Sequence, residues 1–284
     1  MQEISFSVHN KQYSGLTNNK QGKPLLVCLH GYLDNAASFL PLSQYLDDYH
    51  VIALDLMGHG NSSHYADGHF YQLSDYVYDL YKLLVQENWS DIVLVGHSLG
   101  GIVASMFAAT FPERIQSLVC IESFGPLVEN ADTSCEQLRL CCESRLHATM
   151  SNIKQPKPLD AVVKARLKVS EMREADARLI MSRNLTLNDN GEHIWRTDRK
   201  LRTSSPLRLT EAQAIAFIQG IKCKTLVVFG LNGYEKLKRA YESRYVYFSD
   251  LSFYSLNGGH YVHMESAKPL AARLIGFLSD DLAQ

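Results

Sequence analysis

The pattern of hydrophobic positions along the chain predicts strands that alternate with helices. Residues 4–8 alternate apolar and polar side chains, as an edge strand does. Four continuous apolar runs follow, at residues 24–29, 51–54, 92–95 and 115–121. Between them, residues 71–87 carry apolar side chains at helical spacing, and residues 37–46 form a shorter helical segment. Strands separated by helices predict an α/β fold with a mostly parallel sheet and helices on both faces.

This alternation stops between about residues 125 and 217, where we find no convincing buried strand. The segment is charged and has helical spacing in four stretches, at residues 136–147, 159–169, 171–185 and 211–219. Connections in a compact domain are normally a few residues long, so about 90 residues must form a substructure of their own. Apolar strands resume at 225–230 and near 251–256, before a final helix over 265–278. We therefore predict a core domain of residues 1–124 and 218–284 and a helical cap of residues 125–217.

Composition and charge narrow the class of protein. The chain has 284 residues, of which 46% are hydrophobic and 20% charged, enough for one large domain with an insertion. A net charge of −2 gives no reason to expect nucleic acid or an anionic membrane as a partner. The amino terminus lacks the basic start and apolar core of a signal peptide, and no apolar run approaches the ~20 residues that span a bilayer. The six cysteines show no metal-binding spacing, which favours a reduced, cytoplasmic protein.

The most informative motif is Gly96-His97-Ser98-Leu99-Gly100. It follows directly on the apolar run 92–95, and residues 102–110 behind it have the small and apolar side chains of a buried helix. A serine on a sharp strand-to-helix turn projects its hydroxyl away from the backbone, and flanking glycines permit the close crossing of strand and helix. We therefore predict that Ser98 is a nucleophile held in a strained turn.

A serine nucleophile needs a base that takes its proton, most often a histidine. Among eleven histidines, the best placed is the one in Asn257-Gly258-Gly259-His260, a loop between the last strand and the final helix. Its two glycines let the imidazole approach the edge of the sheet where the serine turn must lie. His263 suggests a metal pair, but the sequence offers no acidic or cysteine ligand nearby, so we predict no metal site. We expect His97 and His59 to be structural or to form pocket walls.

An acyl-transfer intermediate places negative charge on an oxygen, which needs hydrogen-bond donors fixed in advance. The backbone amide of Leu99, directly after the nucleophile, is one such donor. We expect the second in the loop His30-Gly31-Tyr32-Leu33, which follows the apolar run 24–29, and we choose the amide of Tyr32. An ordinary connection between strand and helix is the alternative interpretation of this loop.

Four motifs in this order resemble the α/β-hydrolase superfamily. They are His30-Gly31, Asp55-Leu56-Met57-Gly58-His59-Gly60, Gly96-His97-Ser98-Leu99-Gly100-Gly101 and Gly258-Gly259-His260. The resemblance covers almost the whole chain and implies an α/β-hydrolase fold, in which residues 125–217 are the cap that this superfamily inserts after its sixth strand. Residues 195–201 and 209–213 further resemble the end of the cap in the serine hydrolase-like group.

One position departs from the superfamily pattern. The resemblance implies an aspartate as the acid of the triad in the loop after residues 228–230, but Gly233 stands there. A carboxylate is still expected, because it orients the imidazole and stabilises its charged form. Glu122 follows the apolar run 115–121 at the carboxyl edge of the sheet, where some superfamily members carry their acid, and we predict it for this role. The alternatives are Glu235, a weakened or absent acid, or a Glu122 that is only a buried partner of a cap arginine.

Together these residues predict a serine-dependent hydrolase that cleaves carboxylic esters of small or medium acyl chain through an acyl-enzyme. A serine at this position excludes the haloalkane dehalogenases and epoxide hydrolases of the fold, which attack with an aspartate. A carbon–carbon or thioester hydrolase, and a non-catalytic ligand-binding member, are the alternatives. We predict no cofactor, and the candidates for the pocket wall are Met150, Met172, Met181 and Trp195. We expect the basic cluster over residues 196–208 to be a solvated face rather than an anion site.

Overall fold

The computed structural model describes residues 1–151 and 155–282. Ten strands lie in these residues: β1 (Gln2–Val8), β2 (Lys11–Thr17), β3 (Leu25–Leu29), β4 (His50–Asp55), β5 (Ile92–His97), β6 (Ile115–Ile121), β7 (Leu185–Leu187), β8 (His193–Trp195), β9 (Lys224–Gly230) and β10 (Leu251–Leu256). Eight of them form one sheet in the order β1-β2-β4-β3-β5-β6-β9-β10, and β7 and β8 form a separate hairpin. Strand β2 is antiparallel to both neighbours, whereas the other five pairings in the large sheet are parallel. The predicted mostly parallel sheet is confirmed.

The helices follow the predicted periodicity closely. They are α1 (Leu40–Ser43), α2 (Leu73–Gln86), α3 (Leu99–Thr110), α4 (Ser134–Met150), α5 (Leu159–Leu167), α6 (Glu174–Asn184), α7 (Glu211–Gly220), α8 (Glu235–Arg244), α9 (Val262–Glu265) and α10 (Ala267–Leu282). The segment predicted as one helix over residues 37–46 is instead a 3-10 turn at Ala36–Phe39 followed by the short α1, and the Asn35 side chain caps the turn. Among these helices none is long and apolar enough to cross a membrane.

Side chains that alternate along each strand divide the core into two layers. In β5, Ile92 and Leu94 pack with α2, α3 and α8, whereas Val93 and Val95 pack with α1 and α10 on the opposite face. The strands read as continuous apolar runs because both of their faces are buried. Helices cover both faces of the sheet, as predicted.

Strand β2 has no counterpart in the predicted elements, because Ser14 and Gly15 interrupt its apolar pattern between Tyr13 and Leu16. Tyr13 and Leu16 are nevertheless buried in the core. Ser14 is also buried; its amide donates to the Ser62 hydroxyl at 2.9 Å and its own hydroxyl donates to the carbonyl of Asn61 at 2.9 Å. Hydrogen bonds to distant residues therefore act together with hydrophobic burial to hold this strand in the sheet.

Between β6 and β9 the chain leaves the large sheet and forms α4 to α7 and the β7–β8 hairpin. The hairpin strands have three residues each and are only partly buried, so the hydrophobic pattern does not reveal them. The chain enters and leaves this region side by side, since Val128 pairs with Leu209. Helix α7 then packs against α3. The division into a core and a cap over residues 125–217 stays a prediction.

Two buried ion pairs fix this region to the carboxyl edge of the sheet. Arg183 on α6 lies 2.8 Å from the fully buried carboxylate of Asp55 at the end of β4. Arg166 on α5 lies 2.6 Å from Asp34, which is also buried and follows β3. Removal of one partner from such a pair costs about 3–5 kcal/mol, because the other charge stays buried without compensation. Helices α5 and α6 are therefore held firmly above the loops that follow β3 and β4.

Candidate active site

Ser98 occupies the turn between β5 and α3 in a strained conformation. Its φ of 49° and ψ of −114° lie in a region that residues other than glycine rarely adopt. The Ser98 amide donates to the carbonyl of Ile121 at 2.9 Å, which ties the turn to the end of β6. A Cβ on Gly96 would approach the backbone of Gly100 to 2.4 Å, and a Cβ on Gly100 would approach the carbonyl oxygen of Leu29 to 2.0 Å. Both glycines are thus required by the close crossing of strand and helix.

Glu122 and His260 come together beside this turn. Nδ1 of His260 lies 3.1 Å from Oε2 of Glu122, and both side chains are largely buried. The other carboxylate oxygen accepts a hydrogen bond from the amide of Gly230 at 2.7 Å, and Oε2 accepts a longer one from the amide of Tyr234 at 3.4 Å. The carboxylate is therefore held by the loop after β9 and faces one nitrogen of the imidazole. This arrangement leaves Nε2 as the ring nitrogen that can act as a base.

The glycine at the expected aspartate position is explained by the same carboxylate. A Cβ on Gly233 would lie 2.2 Å from Oε1 of Glu122, so no side chain fits there while Glu122 adopts this position. Glu122 itself has a φ of 49°, which turns its side chain back toward the loop after β9. The carboxylate at position 122 thus fills the space into which a side chain at position 233 would extend.

Glu235 does not share this environment. It lies in the first turn of α8 with an exposed side chain, 3.7 Å from Lys238. Among the described residues, Glu122 also has no arginine partner; the buried acids of the predicted core that bind arginines of residues 125–217 are Asp34 and Asp55. The geometry therefore favours Glu122 over Glu235 as the group that orients His260, although the catalytic role of either residue stays a prediction.

Two aromatic side chains fix the position of His260. The ring of Tyr234 stacks on the imidazole with centroids 4.2 Å apart. His97, next to Ser98 in the chain, donates from Nε2 to the carbonyl of His260 at 2.8 Å, and the two rings lie 4.8 Å apart. His97 therefore couples the backbone of the histidine loop to the serine turn. The hydroxyl of Ser98 makes no hydrogen bond to another of the described residues. In enzymes without a bound substrate, the contact between nucleophile and base is often longer than a hydrogen bond.

His97 stacks in turn on His263, with ring centroids 4.0 Å apart. Both rings are fully buried, and burial lowers the pKa of His97 far below its usual value and that of His263 to about 3. Both imidazoles are accordingly neutral at neutral pH. No group of three or more potential metal ligands occurs in the described part of the chain.

The loop after β3 is held by two further histidines. The ring of His30 accepts a hydrogen bond from the amide of Leu56 at 2.9 Å, and the ring of His59 accepts one from the amide of Leu33 at 3.3 Å. Burial lowers the pKa of His30 to about 4 and that of His59 to about 3, so both rings remain neutral and can accept these bonds. The expectation of a structural role for His59 agrees with this position.

The two predicted oxyanion donors come from different elements of the fold. Leu99 begins α3, and Tyr32 lies in the loop that His30 and His59 hold. Across residues 1–151 and 155–282, neither backbone amide has a hydrogen-bond acceptor in the protein. Both amides are thus free to donate to a ligand, and their convergence on one oxygen stays a prediction.

A network that the sequence does not reveal connects this loop to the cap. Arg166 donates to Asp34 and to the hydroxyl of Tyr261, each at 2.6 Å, and Tyr261 directly follows His260. Burial raises the pKa of Asp34 to about 6, although the charges of Arg166 and His260 oppose this shift. In the sequence, the position of Asp34 is the one indication of this network: it lies four residues after His30, directly behind the predicted oxyanion loop.

Above this network lies a cavity of about 630 Å³. Leu33 contributes from the core, and Met181 and Trp195 contribute from the cap, as two of the four predicted wall residues. Met172 packs in the cluster between cap and core, and Met150 is exposed, so neither lines the cavity. Ser98 and His260 are not among the lining residues; the cavity is connected to them through Leu33 of the predicted oxyanion loop and through Arg166, which binds Tyr261 next to His260.

Known proteins share this fold. Residues 24–140 match the family described as the alpha/beta hydrolase fold. A hypothetical protein from Pseudomonas aeruginosa PAO1 has a solved structure that is 31% identical in sequence, with a TM-score of 0.88 over 98% of this chain and 100% of that one. The chain belongs to the α/β-hydrolase superfamily and is a hydrolase of that fold.

Curated relatives narrow the similarity within the superfamily. A serine hydrolase-like protein from Danio rerio is 28% identical over 268 residues, which cover 90% of this chain and 82% of the relative. Serine hydrolase-like protein 2 from Homo sapiens is 28% identical over 277 residues, which cover 91% of this chain and 87% of the relative. The resemblance to the serine hydrolase-like group is confirmed over nearly the whole chain.

Proposed function

We propose that this protein is a serine esterase that cleaves carboxylic esters of small or medium acyl chain through an acyl-enzyme. The observation that carries the proposal is the buried Glu122–His260 pair, 3.1 Å apart, beside the strained turn of Ser98. Strain at a serine between strand and helix is costly and is retained where the hydroxyl must be exposed to a substrate. The glycine at position 233, which makes room for Glu122, supports the same assignment.

In the proposed reaction, Oγ of Ser98 attacks the ester carbonyl while Nε2 of His260 takes its proton. Glu122 holds the imidazole in the productive tautomer and stabilises the imidazolium. The oxygen that becomes negative accepts hydrogen bonds from the amides of Tyr32 and Leu99. Collapse of the tetrahedral intermediate breaks the ester bond, and His260 returns its proton to the leaving alkoxide. Water then attacks the acyl-enzyme by the same route and releases the carboxylic acid and free Ser98.

The size of the acyl group follows from the cavity beside the site. A volume of about 630 Å³ with the apolar side chains of Leu33, Met181 and Trp195 in its wall suits an acyl chain of small or medium length. The Arg166–Asp34 and Arg183–Asp55 pairs hold the cap over this space, which favours acyl groups that enter without displacing the cap.

The test is hydrolysis of p-nitrophenyl acetate and butyrate by the pure protein and by Ser98→Ala. Loss of the nucleophile in comparable enzymes lowers kcat by factors on the order of 10⁴ or more. We expect the variant to lose activity to this degree and to keep the melting temperature of the wild type. An S98A variant whose activity stays within tenfold of wild type would falsify the assignment. A p-nitrophenyl thioester of the same acyl chain, measured in parallel, distinguishes an esterase from a thioesterase.

A further inference from the structure

The cavity beside the site has an unbalanced charge. Its lining residues include the arginines Arg166, Arg199 and Arg202 and one histidine, His147, but no aspartate or glutamate. A cavity with low-dielectric walls and charges of one sign concentrates ligands of the opposite sign. The composition of the wall therefore favours an anion.

The three arginines differ in how their charges are compensated. Arg166 is paired with the carboxylate of Asp34, and its Nε is buried without a hydrogen-bond partner. Arg199 donates to the backbone carbonyl of Ser151 at 2.5 Å. In the described part of the chain, neither Arg199 nor Arg202 has a carboxylate within 4 Å. Both side chains are exposed, so two positive charges border the cavity without a counterion among the described residues.

Arg202 also lies close to the predicted oxyanion loop. The hydroxyl of Tyr32 donates to the carbonyl of Leu201 at 3.0 Å, so the residue before Arg202 is bound to this loop. The charge of Arg202 opposes the rise that burial causes in the pKa of the Tyr32 phenol. An anion bound at Arg202 would therefore lie on the same side of the cavity as the candidate oxyanion hole.

The rest of the basic cluster behaves differently. Arg208 forms an exposed pair with Glu129 at 3.3 Å, and Arg196 donates to the carbonyl of Leu185. Neither residue lines the cavity. Arg199, Arg202 and Arg208 are all exposed, as expected of a solvated face, but Arg199 and Arg202 also line the cavity.

We propose that Arg199 and Arg202 bind an acidic group of the substrate, so that the enzyme hydrolyses esters whose acyl chain carries a terminal carboxylate or similar oxyanion. The planar guanidinium group binds carboxylates through paired hydrogen bonds, which makes such a site specific as well as attractive. The apolar part of the wall, with Met181 and Trp195, accommodates the methylene chain between the two ends of the acyl group. This inference on substrate class rests on the proposed esterase function.

A binding experiment tests the anion site without any turnover. Adipate, a six-carbon dicarboxylate, is titrated into the protein while the fluorescence of Trp195 is followed, and dimethyl adipate serves as the uncharged control ligand. We expect saturable binding of adipate, at least tenfold weaker in Arg199→Gln/Arg202→Gln and weakened by salt. Arg208→Gln is the matched control, since it removes a cluster arginine outside the cavity, and should bind as wild type does. Trp89→Phe, applied to every variant, leaves Trp195 as the sole tryptophan.

Steady-state kinetics then test whether the anion site determines which esters the enzyme prefers. The measured quantity is the ratio of kcat/KM for mono-p-nitrophenyl adipate to kcat/KM for methyl p-nitrophenyl adipate. We expect a ratio above ten in wild type and in R208Q and a ratio near one in R199Q/R202Q. Failure of wild type to bind adipate, or a ratio that the double substitution leaves unchanged, overturns the inference. Adipate binding without hydrolysis of either ester would support the anion site and refute the esterase function.

Discussion

The sharpest consequence of the site is the effect of Glu122→Gln. The carboxylate faces three N–H groups, from Gly230 at 2.7 Å, from His260 at 3.1 Å and from Tyr234 at 3.4 Å. Glutamine keeps the shape but offers one accepting oxygen and one donating NH₂ group. If the oxygen faces Gly230, the NH₂ group faces Nδ1 of His260 and favours the tautomer that is protonated on Nε2, which cannot accept a proton from the nucleophile. If the amide is flipped, two donors face each other at Gly230.

The first arrangement removes the productive tautomer of His260. The second keeps that tautomer but loses the bond to Gly230 that holds the side chain, and in both the negative charge that stabilises the imidazolium is gone. In serine proteases the corresponding amide substitution lowers kcat by about 10⁴. At about 1.4 kcal/mol for each factor of ten, this corresponds to about 5.5 kcal/mol of lost transition-state stabilisation. We expect Glu122→Gln to lower kcat by 10³ to 10⁴ on p-nitrophenyl butyrate with little change in KM, because the acyl pocket is untouched. Glu235→Gln is the matched control and should be nearly silent, since that carboxylate is exposed.

A second experiment moves the carboxylate from position 122 to position 233 and measures how much activity returns. A side chain at position 233 would begin 2.2 Å from the Glu122 carboxylate, and Gly233 lies outside the left-handed region that favours glycine. We therefore expect Gly233→Asp alone to damage the enzyme, and Glu122→Ala/Gly233→Asp to be at least tenfold more active than Glu122→Ala. Activity of E122Q within tenfold of wild type, or equal losses in E122Q and E235Q, would refute this account of the acid.

Two further predictions concern stability, and one concerns chain length. Arg183→Met leaves Asp55 buried without a counterion and should lower the free energy of unfolding by about 3–5 kcal/mol in urea titrations. Arg178→Met, at an exposed pair, should leave the free energy of unfolding nearly unchanged. Burial lowers the pKa of His263 from 6.5 to about 3, so between these values the unfolded chain binds a proton that the folded chain does not, and stability falls as the pH falls. His263→Leu should therefore flatten the pH dependence of the free energy of unfolding by about 1.4 kcal/mol per pH unit across that window, and an unchanged slope would contradict the assignment. Initial rates on p-nitrophenyl esters should fall from butyrate to palmitate, and faster hydrolysis of the long chain would contradict the proposed acyl pocket.

The parts of the fold and site that the sequence predicts are those that local pattern determines. Apolar runs predict the strands that are buried on both faces. The glycines around Ser98 are needed because strand and helix cross so closely that a Cβ on Gly96 would lie 2.4 Å from the backbone of Gly100. The pairing of Glu122 with His260 was predictable because parallel strands end at one edge of the sheet and Gly233 left no acid at the usual place.

The parts that the sequence does not predict depend on contacts between distant residues. Strand β2 lacks a clear apolar pattern, and its Ser14 is held by hydrogen bonds to residues 61 and 62. Arg166 and Asp34 are 132 residues apart in the chain, so no local pattern could pair them. The basic cluster also has no periodicity that distinguishes Arg202, which lines the cavity, from Arg208, which does not. The difference arises from the path of the backbone through residues 125–217.

The central claim is that Ser98 is a nucleophile activated by His260. The most direct measurement is covalent labelling with a fluorophosphonate, followed by mass spectrometry of the digested protein. The account predicts one phosphonate on the peptide that contains Ser98, no label in Ser98→Ala, and labelling slowed by orders of magnitude in His260→Gln. Absence of label in the folded wild type, or a label on another residue that persists in S98A, would contradict it.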